Sequence, residues 1–463
     1  MLFGMSKSFR PYDPAQQLLF PPDLQDWVPE DHLARFVSDV VDSLDLAELY
    51  KDYDAKDGRG TRPYHPAMML KLLVYGYCIG VRSSRRIERA TYDDVAFRFL
   101  SANQHPDHDV IASFRQRHLK VLPGLFMQVL QLCQAAGLVK LGHVALDGTK
   151  VKANASKHKA MSYARMVEAE KKLLDEIRGL LAEAESTDSG EDDRYGKGRR
   201  GDELPDELSR RESRLKKIQE AKAALEKQAK EKAEHEAEEG RAKNKERERK
   251  SQELGRKPKG KAFNVPDPEQ AKPEDKAQRN FTDAESRIMV DGATKGYVQG
   301  YNAQAAVDGH AQVIVAAALT QQTVDNGQLI PMLLKTAENM GQVPKAVSAD
   351  AGYWSEANVT APALAGIDLH IPPNHREKGP TQLTGGGTPK GAVAQAMRDK
   401  LKSGAGKAVY RLRKAIVEPV FGQIKAARGI RAFLLRGYEK ASAEWQLICL
   451  THNLLKLHRA RMT

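Results

Sequence analysis

Apolar residues recur with two different periods along this chain, and the changes of period divide it into segments. Up to about residue 140 the spacing is helical. Pro66 opens an amphipathic stretch, Ala67 to Tyr77, that Gly80 can stop. Ser83 to Ala90 predicts a short helix opened by serine caps, and Asp109 is placed to cap the next, Val110 to His118. The period then changes. Val144-Ala145-Leu146-Asp147-Gly148-Thr149-Lys150-Val151 reads as a buried strand with a carboxylate in its middle.

Helical spacing returns between about Ala155 and Asn280, now in segments rich in Ala, Glu, Lys and Arg. Leu173, Leu174, Ile177 and Leu181, then Leu215, Ile218 and Leu225, predict two arms of an antiparallel, coiled-coil-like hairpin. Polar, glycine-dotted Ser186 to Gly201 and lysine- and proline-rich Gly255 to Lys276 read as mobile connections. Thr282-Asp283-Ala284-Glu285 has the form of a capping box. Tyr297 to Val307 alternates as a strand, Asp308-Gly309 signals a hairpin turn, and Gln312 to Ala317 returns. A helix from Asn326 to Met340 leads into the strand Ala346 to Ala349, which ends on Asp350.

With the insertion set aside, the order is strand, strand, strand, helix, strand, the order of a ribonuclease-H-like mixed sheet. The expected domains are an all-α N-terminal domain (1–140), a catalytic α/β domain (141–155 and 281–440), the charged helical insertion (156–280) and a basic C-terminal helix (441–463).

Charge adds a partner to this picture. The chain of 463 residues carries +12, and residues 401–463 hold 13 Lys/Arg against 3 Asp/Glu, whereas 156–280 hold 32 against 29. A positive field concentrated near the C-terminus is the electrostatic footprint of a nucleic-acid binder. Arg85 and Arg86 on a short helix are compatible with a helix-turn-helix reading DNA. Cys78, Cys133 and Cys449 are too few and too scattered for a disulfide framework or structural zinc, and His105 with His108 lacks neighbouring cysteines. No run approaches the length of a membrane span, and Met1 to Arg10 lack a signal peptide's apolar core, so a cytoplasmic, nucleoid-associated protein is expected.

A third acid joins Asp147 and Asp350 in Tyr410-Arg411-Leu412-Arg413-Lys414-Ala415-Ile416-Val417-Glu418-Pro419, where Glu418 stands opposite an apolar stripe of Val417, Val420, Phe421 and Ile424. Pro419 makes either a helix start or a kink there. Three hard oxygen donors suit a divalent metal. Asp308 and Asp325 are rival acids, explained by a turn and by a helix cap respectively.

In Leu146-Asp147-Gly148-Thr149, Thr282-Asp283-Ala284-Glu285-Ser286-Arg287, Gly300-Tyr301-Asn302-Ala303-Gln304, Ser348-Ala349-Asp350-Ala351-Gly352-Tyr353 and Val417-Glu418-Pro419-Val420-Phe421-Gly422, the chain resembles DDE transposases of bacterial insertion sequences. The resemblance implies that Asp147, Asp350 and Glu418 bind two Mg²⁺ ions, with Mn²⁺ as a substitute, for DNA cleavage and strand transfer. It also implies double-stranded DNA partners, namely terminal inverted repeats and target, and a homodimer or larger assembly on DNA. The family's Tyr, Arg, Glu, Lys signature is matched by Lys425. Tyr410 and Arg413 keep their mutual spacing one residue early, and Lys414 takes the arginine slot beside Arg411. The alternatives are a DNA-binding protein that has lost catalysis and a scaffold built on the insertion.

Overall fold

The computed structural model describes residues 23–54, 62–195, 206–253, 255, 261–292, 295–373 and 391–462. Two compact units emerge, Met1–Val139 with Leu447–Thr463, and Lys140–Gln446. Met1 to Arg10, on which the signal-peptide expectation rested, lie outside the described residues. Among the described residues no helix is long and apolar enough to cross a membrane.

In its described part the first unit is helical. Its central helix, Pro66–Ile79, buries every side chain from Pro66 to Cys78 except Lys71, so it is a core helix and not the amphipathic one expected from its sequence. It ends where expected, on Gly80 at φ 84°. Ser83 holds the cap position of Ser84–Asp93 without a side-chain hydrogen bond. The cap of His108–Arg117 is Asp107, two residues before the expected Asp109; it accepts from the Asp109 and Val110 amides at 2.8 and 2.9 Å. Asp109 falls in the first turn, where a carboxylate still favours the helix dipole. The three cysteines are buried. Of the expected C-terminal helix 441–463, residues 441–462 belong to a longer helix, Tyr438–Met462, whose Trp445, Leu447, Ile448, Cys449, Leu450 and Leu454 are buried, and residue 463 lies outside the described residues.

The second unit is built on a mixed sheet. β1 (His143–Lys152) is its centre, with β5 (Tyr297–Asp308) antiparallel on one side and β7 (Ala346–Ala349) parallel on the other. β8 (Asp368–His370) continues parallel beyond β7. The far edge of β5 is shared by β4 (Arg287–Val290) and β6 (Ile314–Thr320), both antiparallel to it. The Asp308-Gly309 hairpin therefore forms as the sequence signals. Asp308 is buried, its carboxylate accepting from the Leu141 and His310 amides at 2.7 and 2.9 Å. The expected capping box opens no helix. Asn280 caps that turn by accepting from the Thr282 and Asp283 amides, and Glu285 instead accepts from the Tyr438 amide at 2.8 Å.

Two long helices, Tyr163–Tyr195 and Asp206–Glu253, form the insertion. Tyr163 meets Glu226, Glu170 meets Lys222 and Glu176 meets Arg211, so the helices run antiparallel. Met166, Leu173, Ile218, Ala221 and Leu225 make a small core between them. Ser186 to Asp193, expected to be a flexible connection, lies inside the first helix; once nucleated, each added residue gains a hydrogen bond even where the side chain is polar. Residues 196–205 and 256–260 lie outside the described residues. The remainder of the second expected connection is tied down. Phe263 exchanges two hydrogen bonds with the Asn244 amide group, and Lys230 reaches Glu269 at 2.5 Å. Gly240 permits this return: a Cβ there would stand 2.5 Å from the Asn264 carbonyl. At the root, β2 (Ala160–Ser162) pairs with β3 (Gln278–Asn280).

Candidate active site

β1 and β7 run in register from His143↔Ala346 to Leu146↔Ala349. One step further along this register, Asp147 in the middle of β1 comes level with Asp350, the residue that follows β7. Asp350 leaves its strand by capping a short turn, its Oδ1 accepting from the Gly352 amide at 2.8 Å. Asp147 Oδ1 accepts from the Gly148 amide at 2.8 Å, while Oδ2 takes Arg413 Nη1 at 3.1 Å. The same guanidinium lies 3.9 Å from Glu418, so Arg413 spans two of the three acids.

Arg413 and Glu418 stand on the helix Gly404–Gly422, which runs through Pro419. A proline at that place cannot donate to the Ala415 carbonyl. Gln312 does so instead, at 2.9 Å, which satisfies the group the proline leaves open. Beyond Gly422 the chain winds into a π-turn, Gln423–Ala427. That wider turn shifts the helical phase. Lys425, within this turn, faces β1 and donates to Thr149 Oγ1 and the Lys150 carbonyl at 2.6 and 2.7 Å. Arg411 and Lys414 are exposed, as are Arg85 and Arg86 in the other unit. Tyr410 hydrogen bonds to Arg413 and is raised above its ordinary value by burial.

Electrostatically the site holds an excess of negative charge. Asp147 is pushed up to about 6 by burial; Arg413 opposes the shift, and Asp350 and Asp325 add to it. Arg413 remains raised although burial alone would lower it, because Asp147, Tyr410, Asp350 and Glu418 all favour its charged form.

Asp325 is the residue that sequence reasoning misplaced. It makes no side-chain cap. Its Oδ1 accepts from Asn302 and Gln304 at 2.6 and 2.8 Å and stands 3.7 Å from Lys150. Because side chains alternate along a strand, Gly148 and Lys150 point to the face of β1 opposite Asp147, and this network fills the space over Gly148: a Cβ there would meet Gln304, Asp325 and Asn302 within 2.9 Å. Tyr353, wholly buried, donates to Gln304 from beneath. The readable signal was the pairing of polar Asn302 and Gln304 on one face of a strand whose neighbouring positions Tyr301, Ala303, Ala305 and Ala306 are apolar. Two amides in that setting need a buried acceptor.

Two family models match the chain, a transposase domain (DUF772) over residues 22–117 and a transposase DDE domain over residues 271–454. The chain belongs to the DDE transposases of insertion sequences. Such transposases bind DNA and generally use divalent metal ions. In this transposase the DDE match includes Asp350 and Glu418, while Asp147 and most of the insertion precede it. No curated protein and no solved structure matches the chain.

The donors suit a hard divalent cation in kind, since all three are carboxylates and a positive group already lies between Asp147 and Glu418. Among the described residues, however, no three His, Cys, Asp or Glu side chains converge closely enough to enclose an ion. Arg413 occupies that space.

Proposed function

We propose that this transposase cleaves DNA strands at the ends of an insertion sequence and transfers them to a target, with Asp147, Asp350 and Glu418 holding two Mg²⁺ ions that Mn²⁺ can replace. The observation that carries this reading is the level placement of Asp147 and Asp350 on adjacent parallel strands, with Arg413 joining Asp147 to Glu418. The strand order β6, β5, β1, β7, β8 supports a ribonuclease-H-like catalytic domain. Bound metal would polarise the scissile phosphate and stabilise attacking and leaving oxygens.

The chain's own groups prepare the site. Burial holds Asp147 partly protonated near pH 6, and Arg413 neutralises the acids while no metal is bound. With a cation held by the three carboxylates, the Arg413 guanidinium would be available to a DNA phosphate. Lys425 braces the strand of Asp147 through Thr149 and Lys150. Exposed Arg411 and Lys414, with Arg85 and Arg86 of the helical N-terminal domain, contact the backbone of terminal inverted repeats and target, on which the protein works as a dimer or larger assembly.

A second reading, a DNA-binding descendant without catalysis, is favoured by the ion pair that fills the site. Nicking of supercoiled DNA decides between them. Cleavage that requires Mg²⁺ or Mn²⁺ and disappears in Asp350→Asn supports catalysis; DNA binding without nicking supports the second reading.

A further inference from the structure

At the root of the insertion a pocket of about 560 Å³ is lined by His158, Lys159, Arg165, Arg214, Lys217 and Phe281, over a floor of Ala160, Met161 and Ile218. No acid lines it. Elsewhere the insertion pairs its charges, as in Glu170 with Lys222, Glu176 with Arg211 and Glu239 with Lys243. A lining of one sign is therefore a local departure from a segment nearly balanced between 32 basic and 29 acidic residues.

The lining is carried on fixed backbone. β2 pairs with β3 from Ala160↔Asn280 to Ser162↔Gln278, and the Phe281 amide donates to the Lys159 carbonyl at 3.0 Å. Asn280, 1% exposed, donates to the Ser156 carbonyl at 2.8 Å. Tyr163, where the first long helix begins, donates to the Ala277 carbonyl at 2.8 Å. Ile218, 1% exposed, secures the turn of the second helix that carries Arg214 and Lys217. Gathering four Lys/Arg at one place costs self-repulsion, which an arriving polyanion relieves while releasing its own counterions. Phe281, 37% exposed, offers the pocket an apolar face suited to a sugar or base edge.

We propose that this pocket is a second DNA contact of the transposase, binding the phosphodiester backbone of duplex DNA at the base of the insertion. The proposal rests on the reading of the chain as a protein that acts on DNA, and adds a site outside the acids and outside both family matches except at Phe281.

The test is equilibrium binding of the full chain to a fluorescent duplex of arbitrary sequence, titrated over a range of salt. Arg214→Ala with Lys217→Ala is expected to weaken binding roughly tenfold at low salt and to reduce the salt slope by about 2, that is by about 1 for each phosphate that is no longer neutralised. Thermal melting should not move, because both side chains are exposed. The charge-preserving pair Arg214→Lys with Lys217→Arg should keep near wild-type affinity. Unchanged affinity and slope in the alanine variant would overturn the pocket while leaving the transposase reading in place. Failure of the wild-type chain to bind any duplex would overturn both.

Discussion

Arg413 Nη1 lies 3.1 Å from Asp147 Oδ2, a contact between side chains 266 positions apart that holds the helix Gly404–Gly422 over the middle of β1. The pair is unequal. Asp350 and Glu418 also face the guanidinium, so one cation serves several carboxylates, and removing either member of the pair has opposite consequences.

Asp147→Asn is expected to stabilise the metal-free protein. A carboxyl held at about 6 instead of 3.8 binds a proton in the folded state that the unfolded chain has already released. Stability from this group therefore falls as pH rises from about 4 to about 6 and stays lower above, by roughly 3 kcal/mol as an upper figure. The variant should melt higher than wild type at pH 7, and the difference should vanish near pH 4. Equal melting temperatures at pH 7 would disprove the strain.

Arg413→Ala should act in the reverse sense, costing about 3 to 5 kcal/mol because buried Asp147 loses its ion-pair partner while Asp350 and Asp325 remain nearby. Adding Asp147→Asn to it should recover part of that loss. A double-mutant cycle measured by urea unfolding checks this, and strict additivity would show that the pair does not interact.

Asp147→Asn, Asp350→Asn and Glu418→Gln are each expected to reduce Mg²⁺-dependent nicking to background while leaving duplex affinity within about twofold, since phosphate contacts by basic side chains dominate that affinity. Each swap keeps shape and removes the charge a hard cation requires. Normal nicking by any one would remove that residue from the site. For the wild type, activity should decline below pH 6 as Asp147 takes up its proton.

Lys425→Ala is expected to cost about 2 kcal/mol of stability, because its ammonium makes two hydrogen bonds to β1. Lys414→Ala, at an exposed position on the helix before the π-turn that carries Lys425, should leave stability within about 0.5 kcal/mol and weaken DNA binding. Chemical denaturation of both variants beside a binding titration distinguishes a brace from a phosphate contact.

Replacing residues 165–275 by a short flexible linker should preserve cooperative melting, because Met166, Leu173, Ile218, Ala221 and Leu225 form a core of their own. The cut leaves Asn280 and its bond to Ser156 in place. Loss of folding would show that the sheet depends on the insertion; full transposition would make the insertion a spacer.

The sequence by itself determined the parts of this protein that local physics specifies. Strand alternation and the Asp308-Gly309 turn determined the β5 to β6 hairpin, and Gly80 determined where its helix stops, because period and turn chemistry act over a few residues. The acids at 147 and 350 were legible for the same reason, each marking a break in a short apolar run. Phase and partner were decided only by tertiary structure. Lys425, in the π-turn after Gly422, found its partners on β1, and buried Asn302 and Gln304 drew Asp325 away from a helix cap. Arg413 was chosen over Lys414 for the acids because it is the one the helix faces inward, 8% exposed beside Asp147. Spacing along the chain carries no information about which side chain meets a strand 266 residues away. That is decided when helix and sheet pack, and when buried charges must find their partners.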